Sequence, residues 1–558
     1  MNQIKLMCYT RTPLHTDIYS EKLAYSMHLA FSENGEPFQP LNHNSGVLFA
    51  KATTNADGTL TAKTLRNPQI HSAEDAAPYA AEHRASGSTG RSSANSEQHA
   101  ATGNSGNLYF ITAEQCEADG TPDASCSGKV LLFTTSDFIH YEENGLVTMK
   151  EIIGKKYNQA DRNDTSRATA DDTKSPCSSD MPPCTIEGAV PCSTVTISAE
   201  QLAYLKAKLL PKKNTNVPAT TYHFPIVENR ADPCIGRWNG KYYFIATNDA
   251  DQNHTLYLRE SNSIDGIVEA YTDKNSREPE TLLLDSTTYE GIGNLLWAPE
   301  FHIIKNKLYI FHACTPGEFF KEESHVMELK AGGNPMNRSD WSKPHRVVKK
   351  DGTFLAEAGK TITLDMTEFE WNNKCYVVWS QRQFLPVDQG AFLYIAEINP
   401  DTPWVLASDP VLLTKPEYSW ENNHTFVDEG PFSLIHNGTL FLTFSAAAID
   451  ATYVVGLLTL RSEKDNSHKQ TDCEHDAHNS SAAIYPLDPN NWVKQQYPLL
   501  TSRCTPGEYG TGHNSYVTDD NGVVWNAYHA RPGLNGPRST GIKQVCFDVD
   551  GVPVLDAE

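Results

Sequence analysis

Five polar side chains in the C-terminal part of the sequence stand at a repeated distance from a turn. Asp232, Glu300, Asp365, Glu429 and His513 precede the turn asparagines Asn239, Asn306, Asn373, Asn437 and Asn521 by six to eight residues. One carboxylate at the start of a strand is ordinarily a solvated turn residue. Five in register call for another account, because independent turn residues need not repeat. If the strands that follow are equivalent, four carboxylates and a histidine converge on one axis. Like charges that close raise one another's pKa, and folds carry that cost at functional sites more readily than in cores. Two carboxyl groups flanking a glycosidic bond are the apparatus of sugar hydrolysis: one protonates the leaving oxygen, the other activates water or attacks the anomeric carbon. Trp297, Trp420 and Tyr453 around the same axis suit stacking on sugar rings and suit core packing as well.

The elements that must position these residues are short hairpins. The runs Asn239-Gly-Lys-Tyr-Tyr-Phe-Ile, Asn306-Lys-Leu-Tyr-Ile-Phe, Asn373-Lys-Cys-Tyr-Val-Val-Trp, Asn437-Gly-Thr-Leu-Phe-Leu and Asn521-Gly-Val-Val-Trp each join a turn signal to an aromatic or β-branched strand. Asn-Gly favours type I′ turns, whose two central residues need positive φ. Successive turns are 67, 67, 64 and 84 residues apart. Five similar hairpins at a near-fixed period predict radial repetition, an all-β five-bladed β-propeller. A fainter copy lies upstream: Leu65-Arg-Asn67-Pro68-Gln-Ile parallels Arg230-Ala-Asp232-Pro233-Cys-Ile. Residues 1–154 are therefore expected to form an incomplete propeller-like β module. Asn67 stands where the C-terminal copy has Asp232, and an amide cannot act as a base, so this module is expected to be noncatalytic. Residues 155–220 read as a connector with one helix, capped by Ser198 with Leu202, Leu205 and Leu209 on one face. Residues 221–558 form the expected catalytic domain. The low-complexity run from Ala76 to Asn107 and the polar stretch from Asp465 to Ser481 read as solvated loops.

Lys and Arg number 46 and Asp and Glu 69, a formal charge of −23. That balance disfavours nucleic acid and anionic membranes as partners and leaves a neutral oligosaccharide as the expected one. The N-terminal residues lack the apolar core of a secretory signal, and no apolar run reaches membrane-spanning length, which predicts a cytoplasmic protein. The twelve cysteines have no metal-ligand spacing. Cys177, Cys184 and Cys192 cluster in a polar segment and read as free thiols rather than a disulfide or a metal site.

The segments VENRADPCIGRWNGKYYFIAT, LLWAPEFHIIKNKLYIFHA, TLDMTEFEWNNKCYVVWSQ, VDEGPFSLIHNGTLFLTFSA and YGTGHNSYV resemble successive blades of glycoside hydrolase family 43, in family order from about Tyr222 to Val554. The resemblance implies a five-bladed propeller that hydrolyses with inversion, acting mostly on arabinofuranosides, arabinans and xylosides. It implies that Asp232, in Ala-Asp-Pro, is the general base. Glu429, in Glu-Gly-Pro, would be the general acid, and Asp365, in Leu-Asp-Met-Thr, a third carboxylate that tunes and orients the acid. Glu300, in Trp-Ala-Pro-Glu where many members have Asp, is assigned to substrate positioning or local electrostatics. His513 matches a histidine on the channel floor. Arg531, in Tyr528-His-Ala-Arg, would meet a sugar hydroxyl. No cofactor is implied for the reaction; a structural calcium or sodium ion in the channel would be held near His513 through water. The long motif SAAAIDATYVVGLLTL and the Trp-Ala-Pro-Glu variant look most like exo-acting α-L-arabinofuranosidases, with β-xylosidase as the rival chemistry. A noncatalytic sugar-binding propeller is the alternative from another class.

Overall fold

The computed structural model describes residues 3–76, 108–153, 181–210, 222–273, 275–461 and 484–557. The loops expected across 77–107 and 465–481, and Cys177, lie outside the described residues. The described chain is all-β with a few short helices and divides into two units, Met1–Thr53 with Ala62–Lys212, and Thr54–Thr61 with Lys213–Glu558.

The first unit holds two four-stranded sheets. In one, Ile4–Arg11 lies between Ala189–Ile197 and His28–Glu33. In the other, Lys63–Ser72, Tyr109–Glu117, Val130–Thr135 and Glu142–Val147 run in sequence order. The helix Ala199–Leu209 begins at Ser198, whose side chain accepts the Gln201 amide while the Gln201 side chain accepts the Ser198 amide. This reciprocal cap satisfies two donors that a helix start otherwise leaves open. Leu202, Leu205 and Leu209 are its buried face.

The second unit holds five four-stranded antiparallel sheets. The first four run in sequence order, starting from Arg230–Trp238, Asn294–Ile304, Thr361–Trp371 and Asp428–His436. The fifth contains Tyr509–Thr518, Val524–Arg531 and Ser539–Gln544, and takes its outer strand, Val227–Glu228, from before the first sheet. Four of the five hairpins turn as the sequence predicts, with paired positive φ at Asn239–Gly240, Lys305–Asn306, Asn372–Asn373 and Asn437–Gly438. In the fifth, only Gly522 has positive φ, and the Asp519 carboxylate instead accepts the amides of Asn521 and Val523.

The strands are apolar on both faces because each sheet is packed on both sides. Cys234, Tyr243 and Ile245 join a core with Leu308 and Ile310 of the second sheet. Their alternate neighbours Ile235, Tyr242 and Phe244 join another with Trp525 and Ile542 of the fifth. Strand periodicity of two sends successive residues to opposite faces, so one hairpin feeds both cores.

Candidate active site

Each inner strand of the second unit carries the same backbone irregularity. The register slips between Ala231 and Cys234, Trp297 and Glu300, Leu364 and Thr367, Glu429 and Phe432, and Gly512 and Ser515. In every case two residues oppose one, a β-bulge that re-aims side chains. The first bulged residue has positive φ: Asp232 48°, Ala298 43°, Asp365 52°, Gly430 54° and His513 43°. Left-handed backbone at a residue other than glycine costs on the order of 1 kcal/mol and concentrates at functional sites. The bulge amides face the preceding sheet. Ala298 donates to Thr247 Oγ1 at 2.8 Å, His513 to Ser445 Oγ at 2.7 Å, and Asp232 to His529 Nδ1 at 3.2 Å.

The bulges correct the alignment read from turn distances. Asp232, Asp365 and His513 occupy equivalent places, whereas Glu429 stands one residue before the bulge position and Glu300 two after it. Glu429 therefore shares its place with Trp297 and Leu364, and all three line one pocket of about 360 Å3 together with Asp232, Asp365 and His513. That volume suits one small ligand. Glu300 instead enters the core, 2% exposed, with Oε2 2.8 Å from His302 Nε2. It is not among the pocket-lining residues and acts on the site through its charge on His513.

The pocket's three carboxyl groups have been given different surroundings. Asp232 accepts from Thr247 Oγ1 at 2.6 Å and lies 3.2 Å from Arg538 Nη1 and 3.4 Å from His513 Nδ1. Burial alone would raise its pKa; the Arg538 guanidinium and then His513 outweigh it and hold the group well below the usual carboxylate range. Arg538 is fixed in turn by Asp249, through Nε at 2.9 Å and Nη2 at 2.8 Å. Burial raises the pKa of Glu429, whose Oε1 accepts from Tyr453 Oη at 2.6 Å. Asp365 is pushed up to about 8, by burial first and, against the pull of His513, by the charges of Glu429 and Asp232. Its Oδ2 accepts the Gly430 amide at 3.1 Å, which ties it to the backbone beside Glu429. Carboxyl groups whose environments drive their pKa values apart can divide acid and base roles between them.

The two histidines differ. His513 Nδ1 faces Asp232 and, at 3.9 Å, Asp365; these carboxylates outweigh burial and raise its pKa. His529 Nδ1 lies 3.2 Å from the Asp232 amide and 3.1 Å from Asp232 Oδ1, and burial pushes its pKa down to about 4. His513 Nε2 is buried without a hydrogen-bond partner. An orphaned nitrogen of this kind fits a water or a water-bound ion. Among the described residues His513 belongs to no cluster of three metal-ligating side chains, so a hard cation here would be held through water and not by a direct ligand set.

Three sequence-derived assignments change. Trp420 is fully buried, its Nε1 donates to Gln496 O at 3.1 Å, and its ring packs on Tyr418 and Phe444; it is core and lines no part of the pocket. Tyr453 is likewise buried, and it positions Glu429 through its hydroxyl instead of offering a stacking face. Arg531 donates from Nη1 to Gly536 O at 2.6 Å and from Nη2 to Ile449 O at 2.9 Å. It fastens the loop carrying Ile449, a pocket residue, and is not itself in the lining. Trp297 does line the pocket, its Nε1 held by Asn253 Oδ1 at 2.8 Å. Sequence reasoning missed Arg538, which nothing in Gly-Pro-Arg-Ser marks, and His529, which lies inside the Tyr-His-Ala-Arg run.

The profile of "Glycosyl hydrolases family 43" matches residues 222–553. The chain is 29% identical over 354 residues to "Alpha-L-arabinofuranosidase B" of Pyricularia oryzae, covering 62% of this chain and 64% of that protein. It is 30% identical to "Extracellular exo-alpha-(1->5)-L-arabinofuranosidase" of Streptomyces avermitilis, covering 60% and 63%. To a protein of the same name from Streptomyces chartreusis it is 31% identical, covering 56% and 82%. The chain thus spans a little under two thirds of the first two relatives. The crystal structure of an α-L-arabinofuranosidase from Lactobacillus brevis aligns at 29% identity with a TM-score of 0.49, covering 60% of this chain and 97% of that one. With more than half of its length matched by the family profile, and with the motifs that match it building one carboxylate-lined pocket, the chain belongs to glycosyl hydrolases family 43.

Proposed function

We propose that this protein is an inverting, exo-acting α-L-arabinofuranosidase that removes terminal arabinofuranosyl residues from arabinose-containing oligosaccharides. The observation that carries the reading is the contrast inside one pocket: Asp232 held ionised by Arg538 and His513, Glu429 raised toward the protonated form. Asp232 takes a proton from a water as that water attacks the anomeric carbon. The bond from that carbon to the leaving oxygen breaks, and Glu429 gives the oxygen its proton. Asp365, hydrogen-bonded to the amide beside Glu429, keeps the acid in place and shares its titration. An inverting reaction needs carboxyl groups about 6.5–9.5 Å apart to leave room for the water. The relatives' names supply the arabinofuranoside, and the small pocket favours a terminal sugar over a chain passing through.

The five sheets are read as the blades of a propeller. Support comes from hydrogen bonds that link them in succession: Ala298 N to Thr247, Ser324 N to Thr363, Ser380 to Asp428 O, His513 N to Ser445, and Ser515 to Pro233 O. The first unit, with Asn67 at its bulge, is read as noncatalytic.

Proton NMR of early product tests the stereochemistry: the released sugar should have the anomeric configuration opposite to the substrate's, and initial retention would refute the assigned roles. A panel of 4-nitrophenyl glycosides tests the sugar, with turnover of the β-D-xyloside alone pointing to the rival xylosidase. Glu429→Gln should lose far more activity on an arabino-oligosaccharide than on a 2,4-dinitrophenyl arabinoside, because a good leaving group departs without a proton.

A further inference from the structure

One side of the pocket mouth opens onto an exposed aromatic surface that the proposed chemistry does not use. Phe319 lines the pocket and is 40% exposed, Phe320 is 52% exposed and Leu385 54%. The Phe319 ring meets Trp297 at 6.2 Å, Phe320 at 5.4 Å and Phe384 at 5.9 Å, and Phe320 meets Phe384 at 5.0 Å. Interplanar angles among the three phenylalanines are 69° to 79°, so they form a stepped corner and not a flat plate. The Arg382 guanidinium, also a pocket residue, lies over Phe384 at 5.2 Å and is forked onto Asp388.

This surface is built. Phe320 O accepts the Gly359 amide at 2.9 Å, and the Phe384 amide donates to Lys360 O at 2.7 Å. The Glu318 amide donates to Thr315 Oγ1 at 3.0 Å. Three separate segments are thereby held together to present large apolar side chains to solvent, on a chain that otherwise carries a strongly acidic charge. Exposed apolar patches continuous with a ligand pocket mark binding surfaces, and aromatic faces complement the C–H faces of sugars.

We infer that Phe319, Phe320 and Phe384 form an aglycone subsite that receives the sugar residues beyond the scissile bond. The inference rests on the glycosidase reading and adds where the rest of the substrate lies. The pocket, about 360 Å3, takes the terminal sugar. The next sugar leaves the pocket past Phe319 and sets its C–H face against Phe320 and Phe384. The stepped corner suits a bent, furanose-containing chain better than a flat ribbon.

The test compares kcat/KM for α-1,5-linked arabinotriose with that for methyl α-L-arabinofuranoside, which has almost no aglycone. In Phe320→Ala and Phe384→Ala the ratio of the two should fall about five- to tenfold, the loss expected from uncovering part of one phenylalanine contact. Phe320→Tyr should restore it. Thermal melts confirm that the variants fold, which exposure of Phe320 favours. An unchanged ratio in both alanine variants overturns the inference. So does an unchanged ratio accompanied by a shift from dimer to monomer in sedimentation, which would assign the patch to a second copy of the chain. If the wild type turns over only xylosides, the arabinose reading falls, and the same ratio taken with xylotriose against methyl β-D-xyloside still decides the subsite. Turnover of neither series overturns both.

Discussion

The bulge at Asn67 and the bulge at Asp232 are the same backbone in two settings. Each lies in the first strand of a four-stranded sheet, each first bulged residue precedes a proline, and φ is 49° at Asn67 and 48° at Asp232. At Asn67 the side chain is exposed and donates to Glu114 Oε2 at 2.9 Å. At Asp232 it is buried among Thr247, Arg538, His513 and His529. The bulge thus only aims a side chain. A guanidinium held by Asp249, together with the His513 imidazole, keeps the aimed group well below the usual carboxylate range.

The comparison is broken most severely by exchanging the aimed group itself. Asp232→Asn should lower kcat on arabino-oligosaccharides by about 100- to 10,000-fold, the range of general base catalysis, while the circular dichroism spectrum stays unchanged. Asn67→Asp in that background should restore nothing, and azide should partly rescue Asp232→Gly. If Asn67→Asp recovered turnover, the first unit would contain a second latent site and the contrast would collapse.

Arg538 is the next lever. Its removal in Arg538→Met should let the Asp232 pKa climb, so the acidic limb of the kcat/KM profile should move to higher pH by about one unit or more. A limb that stays in place would assign the ionised state of Asp232 to His513 alone.

Asp365 gives a smaller effect of opposite sign. Folding raises its pKa from the ordinary 3.8 to about 8, so the folded state holds a proton that the unfolded state releases. The associated stability is full below about pH 4 and is lost as pH climbs toward 8. Asp365→Asn keeps an acceptor for the Gly430 amide and abolishes that titration. Between pH 5 and pH 9 its Tm should drop less than the wild type's, by about 2 °C. An equal drop would place the proton elsewhere in the cluster.

The smallest effect is expected at Asn67. Asn67→Ala loses the Glu114 bond and leaves a Cβ in left-handed backbone, a loss of about 1 kcal/mol. Asn67→Gly loses the bond alone. Chemical denaturation should rank alanine below glycine, with kcat untouched in both.

Much of this contrast is legible in the sequence. The Asn-Pro and Asp-Pro copies are visible as strings, and the turn asparagines give the hairpins because type I′ geometry restricts residue choice so strongly. The order of the sheets follows from the period. A window of six to eight residues does not resolve a one- or two-residue offset at a bulge: Glu300 stands six residues before Asn306 and Glu429 eight before Asn437, and one is sent into the core and the other into the pocket. Trp420, in the short 3-10 turn Ser419–Glu421, and Tyr453, just before Val454–Leu460, show the same limit, since an aromatic residue's type does not say whether it meets the core or the pocket. Arg538 reaches Asp232 across 306 residues of sequence, a contact with no local signal.

The outer strand of the fifth sheet has a consequence for how the chain comes to be folded. Val227 pairs with Thr540 and Glu228 with Ser539, and Thr540 Oγ1 donates to Arg230 O at 2.7 Å across 310 residues. During synthesis the ribosome must release the Val524–Arg531 and Ser539–Gln544 hairpin before this latch can engage. Until then the Ser539–Gln544 edge has no partner and the strand bearing Asp232 lacks its neighbour. Pairings of such long range form slowly, and a nascent chain waiting for them exposes a free edge to its neighbours. Asp232, the proposed base, and the Arg538 guanidinium that favours its ionised form sit on opposite sides of that latch. Assembly of the latch is therefore also the step that brings Arg538 to Asp232, and a chain stalled before it would lack the contact that holds that carboxyl group ionised.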